Sequence, residues 1–124
     1  MNALDKFLQL RSFVSAFERK ALVYGASFGE FLILRAIDAE GHAGIRRVDL
    51  ANAVELSVSG VTRALQPLEK QGYVEHLEAA MDARERRVVL TDSGKVLFDD
   101  ISTNVSQRLE QVEADLNHLI ARLG

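Results

Sequence analysis

The chain has 124 residues, enough for one domain of ordinary size and too few for two independent cores. Its 48% hydrophobic and 27% charged residues exclude a disordered or low-complexity protein, and a net charge of −3 argues against a generally basic nucleic-acid coat while leaving a local basic surface open. The absence of cysteine excludes disulfides, thiolate zinc sites, iron–sulfur clusters and cysteine redox sensing.

Residues 4–22 carry Leu4, Phe7, Leu8, Val14, Phe17 and Leu22 at spacings of an amphipathic helix. Ser27-Phe28-Gly29-Glu30 has the form of a capping box, and a second helix runs from Phe28 to about Ala39, apolar over most of its circumference and therefore central. Gly41-His42-Ala43-Gly44 breaks the chain. Ile45 reads as a single strand residue before a short helix over 47–54. Ser57 caps a fourth helix that buries Val58, Val61, Leu65 and Leu68. Local rules predict a kink or early end at Pro67, yet Leu68, Glu69 and Lys70 continue the pattern to about Gln71, where Gly72 supplies the stop.

The period then changes. Residues 73–78 and 86–90 read as two strands of a β-hairpin with a polar tip. Thr91 or Asp92 caps a last helical segment over 93–123, with Leu97, Ile101, Val105, Leu109, Val112 and Leu116 on a seam long enough to want a partner. It is either one long helix or a helix with a short turn near Val112-Glu113. The expected fold class is mainly α with a small β-hairpin wing: a winged helix-turn-helix lobe over 28–91, flanked by dimerisation helices at 4–22 and 93–123, all in one domain. No apolar run approaches the roughly 20 residues that span a bilayer, and the N-terminus lacks a signal peptide's basic start, so the expected location is cytoplasmic, away from membranes.

In a helix-turn-helix the second helix offers its outer face to the major groove. Here that face carries Ser59, Thr62, Arg63 and Gln66 after the cap Ser57. Their side chains are short or forked hydrogen-bonders, and Arg is the one best matched to guanine or phosphate; Gly60 would permit close approach of the backbone. In the hairpin, Arg84, Arg86 and Arg87 cluster beside Asp82, where a basic tip can enter a minor groove or grip phosphates and Asp82 can hold an arginine by a charge-assisted pair. An ordinary solvated helix face has the same composition, and Glu75, Glu78 and Glu85 make a merely salt-bridged hairpin an equal reading of the wing.

Asp82-Ala83-Arg84, followed after five residues by Leu90-Thr91 and then Gly94, fits the wing signature D-x-R-x5-L-T of the MarR (multiple-antibiotic-resistance regulator) family. Residues 57–63, residues 68–74 and Leu50-Ala51 also resemble that family's recognition helix, wing entry and preceding helix, so the resemblance covers nearly the whole chain. It implies a homodimer formed by the first and last helices, binding a palindromic double-stranded operator, in many members as a repressor released by a small, often aromatic, ligand held between the dimerisation helices and the lobe. It places Ser57, Ser59, Thr62 and Arg63 at recognition-helix contacts and Arg84 at the wing arginine, oriented by Asp82. Gln66 and Arg86 are added from the residues alone.

The chain departs from the family in opening its third helix with Arg46-Arg47, where a Ser or Thr cap is usual, and in having His76-Leu77 on the first wing strand. Phe13, Phe17, Tyr24, Phe28 and Phe31 are candidates to line an aromatic pocket, although each also suits ordinary core packing. His42, His76 and His118 lack metal-ligand spacing, no cofactor is implied, and no catalytic constellation is present, so an enzyme is not expected. The alternative function is a winged-helix protein-interaction module with only residual DNA affinity, favoured by the acidic balance.

Overall fold

The computed structural model describes residues 2–20, 26–77 and 85–123. In chain order the elements are α1 (Ala3–Lys20), α2 (Phe28–Ala39), a 3-10 turn (Gly41–Ala43), β1 (Ile45–Arg46), α3 (Arg47–Val54), α4 (Val58–Lys70), β2 (Val74–His76), β3 (Arg87–Leu90), α5 (Asp92–Gln111) and α6 (Glu113–Leu123). They form two compact units, Met1–Phe28 with Ile101–Gly124, and Gly29–Asp100, the division falling inside α2 and α5.

The unit Gly29–Asp100 is a winged helix. Its core is built from faces that the sequence periods dictate: Phe31, Ile33, Leu34 and Ile37 of α2, Leu50 and Ala51 of α3, Val61, Leu65 and Leu68 of α4, Val74, Val88 and Val89 of the strands, and Phe98 of α5. Phe31 and Phe98 stack at 5.8 Å between centroids. Lys95 Nζ donates to Asp38 Oδ1 at 2.8 Å and lies over the Phe98 ring, fixing the start of α5 against α2.

The expected hairpin is one part of a larger sheet. β1 adds to it, giving a three-stranded antiparallel sheet in the order β1-β3-β2, with Ile45 opposite Val88 and Arg46 opposite Arg87 on one side, and Val74 opposite Leu90 and His76 opposite Val88 on the other. Ile45 is thus one of two strand residues rather than one alone, because Val88 and Arg87 offer their free edge to it. Val58, expected to be buried, is 44% exposed: it is the first residue of α4, at the helix end, where fewer neighbours cover the Val61-Leu65-Leu68 face.

Helix α4 passes through Pro67 without stopping. Pro67 is exposed, on the side away from the buried Leu65 and Leu68, and the helix ends one turn later in a Schellman motif: the Tyr73 N–H donates to Leu68 O at 2.9 Å and the Gly72 N–H to Glu69 O at 3.0 Å. Gly72 takes φ +84°, a conformation that costs an L-residue about 1 kcal/mol and glycine, without a Cβ, almost nothing.

The signature residues that follow close this turn. Thr91 caps α5, its hydroxyl oxygen accepting from the Gly94 N–H at 3.0 Å while its O–H donates to Gly72 O; Ser93 Oγ donates to the same carbonyl at 3.1 Å. A Cβ on Gly94 would lie 1.9 Å from the Tyr73 carbonyl oxygen, so only glycine lets the first turn of α5 sit there. The Leu-Thr-x-x-Gly half of the motif is therefore a clasp between the exit of α4 and the start of α5.

The other unit is made of helices. In α1, Leu10, Phe13 and Phe17 are half-buried on one face, whereas Leu4, Phe7, Leu8 and Val14, the last four 42% to 63% exposed, share another; the helix has no buried residue. α1 packs on α6, where Arg122 donates to Gln9. Of the two expectations for the C-terminal segment, the helix with a turn is the one observed: Val112 separates α5 from α6, its N–H donating to Leu109 O at 3.1 Å. The expected Leu22 of the first helix, Tyr24, Glu78 of the first wing strand and the hairpin tip with Asp82 and Arg84 lie outside the described residues.

Candidate nucleic-acid interface

The turn between α3 and α4 is made by Glu55 in the left-handed region at φ +58°, which brings the Leu56 N–H onto Ala51 O at 3.0 Å and swings the chain into α4. Ser57 then serves as the N-cap of α4, its Oγ accepting from the Gly60 N–H at 3.0 Å. With Val61, Leu65 and Leu68 facing inward, 100° per residue carries Ser59, Arg63, Gln66 and Lys70 to the outside. Ser59, Arg63 and Gln66 are exposed there, and Thr62 sits half-buried on the flank, its hydroxyl donating to Val58 O and accepting from Arg47 Nη1 at 3.4 Å. Ser57 Oγ and Ser59 Oγ are 3.2 Å apart, a pair of hydroxyls at the helix start with lone pairs and a proton to spare.

The sheet side contributes Arg86 and Arg87, both exposed; Arg87 Nη1 reaches Gly44 O at 3.4 Å. Arg46 is committed elsewhere. Its Nε donates to Asp49 Oδ2 at 2.9 Å and its Nη1 to Glu85 Oε1 at 3.2 Å, and the hydrogen bond and charge of Asp49, then the charge of Glu85, hold the guanidinium firmly in its charged form. The sequence marks Arg46-Arg47 only as a departure from the usual Ser or Thr cap. The three-residue spacing of Arg46 and Asp49 was the readable signal, whereas the link to Glu85 spans 39 residues and was not readable.

In the helical unit, α1, the end of α5 and Val112 line a cavity of about 200 Å³ between Phe13, Ala16, Phe17, Val112, Lys20 and Arg108. Phe17 meets Phe28 edge to face at 6.4 Å. Arg108 Nε and Asn104 Oδ1, one helical turn apart, are buried without a hydrogen-bond partner. Of the five aromatic candidates, Phe13 and Phe17 line this cavity, and Phe31 belongs to the winged-helix core. Among the described residues no cluster of His, Asp or Glu could hold a metal ion, and no helix is long and apolar enough to cross a membrane.

The MarR family pattern matches residues 24–85, from the approach to α2 into the wing. The HTH-type transcriptional regulator PrsX of Escherichia coli is 24% identical over 96 residues, covering 77% of this chain and 57% of PrsX, so the chain spans little more than half of that relative's length. SarZ of Staphylococcus epidermidis, also an HTH-type transcriptional regulator, is 27% identical over 103 residues, covering 81% of this chain and 68% of SarZ. Among solved structures, NadR in complex with 4-hydroxyphenylacetate superposes with a TM-score of 0.78 at 24% identity, covering 98% of this chain and 88% of that one. The family pattern takes in half of the sequence, and the chain belongs to the MarR family.

Proposed function

We propose that the protein acts as a homodimeric repressor that reads a palindromic operator, one α4 in the major groove of each half-site and one wing on each flank, and lets go when a small aromatic ligand binds. The observation that carries the reading is the outer face of α4, where Ser59, Arg63 and Gln66 stand free above a fully buried Val61-Leu65-Leu68 stripe. Arg63 has the fork that pairs with guanine O6 and N7, Gln66 can pair with adenine, and Ser57, Ser59 and Thr62 supply short hydroxyls to bases or phosphates. Arg86, with Asp82 and Arg84, forms the wing's contribution to phosphate and minor-groove contact.

Dimerisation is supported by the second apolar face of α1, since Leu4, Phe7, Leu8 and Val14 are 42% to 63% exposed, and Ile120 of α6 is 56% exposed. The aromatic-walled cavity with Lys20 and Arg108 at its edge supports the ligand, as does the 4-hydroxyphenylacetate held by NadR.

The test is a genomic-fragment selection with purified protein at near-physiological salt. Retention of a few fragments sharing an inverted repeat, with half-sites about one helical turn apart, is the expected result. Retention of only diffuse, salt-labile DNA overturns it in favour of a protein-interaction module.

A further inference from the structure

Two consecutive arginines at the junction of β1 and α3 reach in different directions. Arg46 is the last residue of β1 and the N-cap residue of α3, where it makes no side-chain cap. Its fork grips both carboxylate oxygens of Asp49, Nε to Oδ2 at 2.9 Å and Nη2 to Oδ1 at 3.4 Å, and the remaining Nη1 reaches Glu85 at 3.2 and 3.5 Å. Arg47 turns to the recognition helix and donates to Thr62 Oγ1. Glu85 immediately precedes the exposed Arg86 on the arm leading into β3, and Arg46 faces Arg87 across the sheet. The dipeptide thus touches both elements that carry the proposed DNA contacts.

We propose that Arg46 is a positioning residue for DNA binding: by holding Glu85 it fixes the arm that bears Arg86 relative to α4, while Arg47 steadies α4 at Thr62. The inference rests on the operator-binding reading above. A guanidinium suits this, because its planar fork grips both oxygens of Asp49 and still leaves Nη1 for Glu85 in a fixed direction, whereas a lysine ammonium is a point charge that holds its partners with less directional control. The pairs are largely solvent-exposed, Glu85 at 58%, so their effect falls on the geometry of the arm far more than on stability. A two-site contact loses affinity when the spacing of its parts is loosened, even with every contact group still present.

The experiment uses a DNA fragment retained in the genomic selection and compares the wild type with Arg46→Lys, Glu85→Gln and the double variant. Positioning predicts that each single variant weakens binding roughly 3- to 10-fold, with the double little worse than either, as expected of two partners in one network. Hydroxyl-radical protection should fade at the flanks of the site and persist in its centre, with the melting temperature nearly unchanged. If Arg46 instead gripped phosphate itself and Glu85 held it back, Arg46→Lys would be nearly silent and Glu85→Gln would tighten binding, and that opposite sign overturns the proposal. Uniform loss of protection, or unchanged binding in all three variants, overturns it as well. Failure to recover any specific fragment is a different result: it removes the operator-binding reading, and this inference with it.

Discussion

The winged lobe and the helical unit use their apolar residues in opposite ways. In the lobe, Leu32, Val48, Leu56, Val58 and Val96 are exposed, but they come one to an element or turn, while every helix also sends residues into a shared core. In the helical unit, α1 buries nothing completely and leaves Leu4, Phe7, Leu8 and Val14 along one face. Isolated exposed hydrophobes are normal on any protein, whereas a continuous stripe along a helix marks an interface. In the dimer proposed above, one chain completes the lobe by itself and supplies only half of what covers the helices. The distinction can be broken from either side.

The largest effect belongs to the lobe. Gly94→Ala forces a methyl group onto the Tyr73 carbonyl, a backbone atom that cannot rotate away, and either α5 or the Schellman turn must move. The expected loss is on the order of 3–4 kcal/mol, at the upper end of overpacking penalties, and is read by urea denaturation. A loss below about 1 kcal/mol would mean that the clasp at Gly72, Thr91 and Gly94 is soft and the lobe less self-contained than its core implies.

Phe7→Glu attacks the other unit. It puts a charge in the middle of the exposed stripe of α1, twice per dimer, and should weaken the dimer by roughly 2–3 kcal/mol, or about 100-fold in dissociation constant. Sedimentation equilibrium measures this, with circular dichroism confirming that the lobe stays folded. A dimer of unchanged affinity would place the interface elsewhere.

Much of the local structure was legible in the sequence, and the long-range pairings were not. The α4 stripe of Val61, Leu65 and Leu68, the Ser57 cap and the Gly72 stop are local signals, each contained within a few residues, and the structure follows them closely. The pairing of Ile45 with Val88 and the grip of Arg46 on Glu85 join residues some forty positions apart, and no local period encodes them. Val58 was misjudged because helical spacing takes no account of a helix's end, where a first residue has fewer neighbours to bury it. For the site, the exposure of Ser59, Arg63 and Gln66 followed from the same wheel that buried Val61. The Thr91 cap was one of two readings on offer, but its bond to Gly72 and the need for glycine at 94 were hidden inside a motif that also carries the wing's Asp82 and Arg84, since a pattern does not say which of its letters are structural.

Arg63→Ala tests recognition without touching either unit's packing. An exposed side chain on the outer face of α4 supports no core, so stability and dimerisation should stay constant while affinity for a selected fragment falls by roughly 1–3 kcal/mol and sequence preference relaxes at one position of each half-site. Equal loss on all sequences, accompanied by a shallower salt dependence, would reassign Arg63 to phosphate.

The smallest effect is a gain. Glu55 is exposed and holds the left-handed conformation at φ +58° only because the turn into α4 demands it, so its Cβ crowds the backbone for no compensating contact among the described residues. Glu55→Gly removes that crowding, and after the extra entropy of glycine in the unfolded chain it should stabilise the lobe by roughly 0.5–1 kcal/mol. A rise of a few degrees in melting temperature, with dimer affinity unchanged, would locate the strain in the helix-turn-helix itself and separate it from the helical unit. No rise would mean that the bond from the Leu56 N–H to Ala51 O already offsets the strained residue, and that the turn is held by its hydrogen bonds rather than by the identity of the residue inside it.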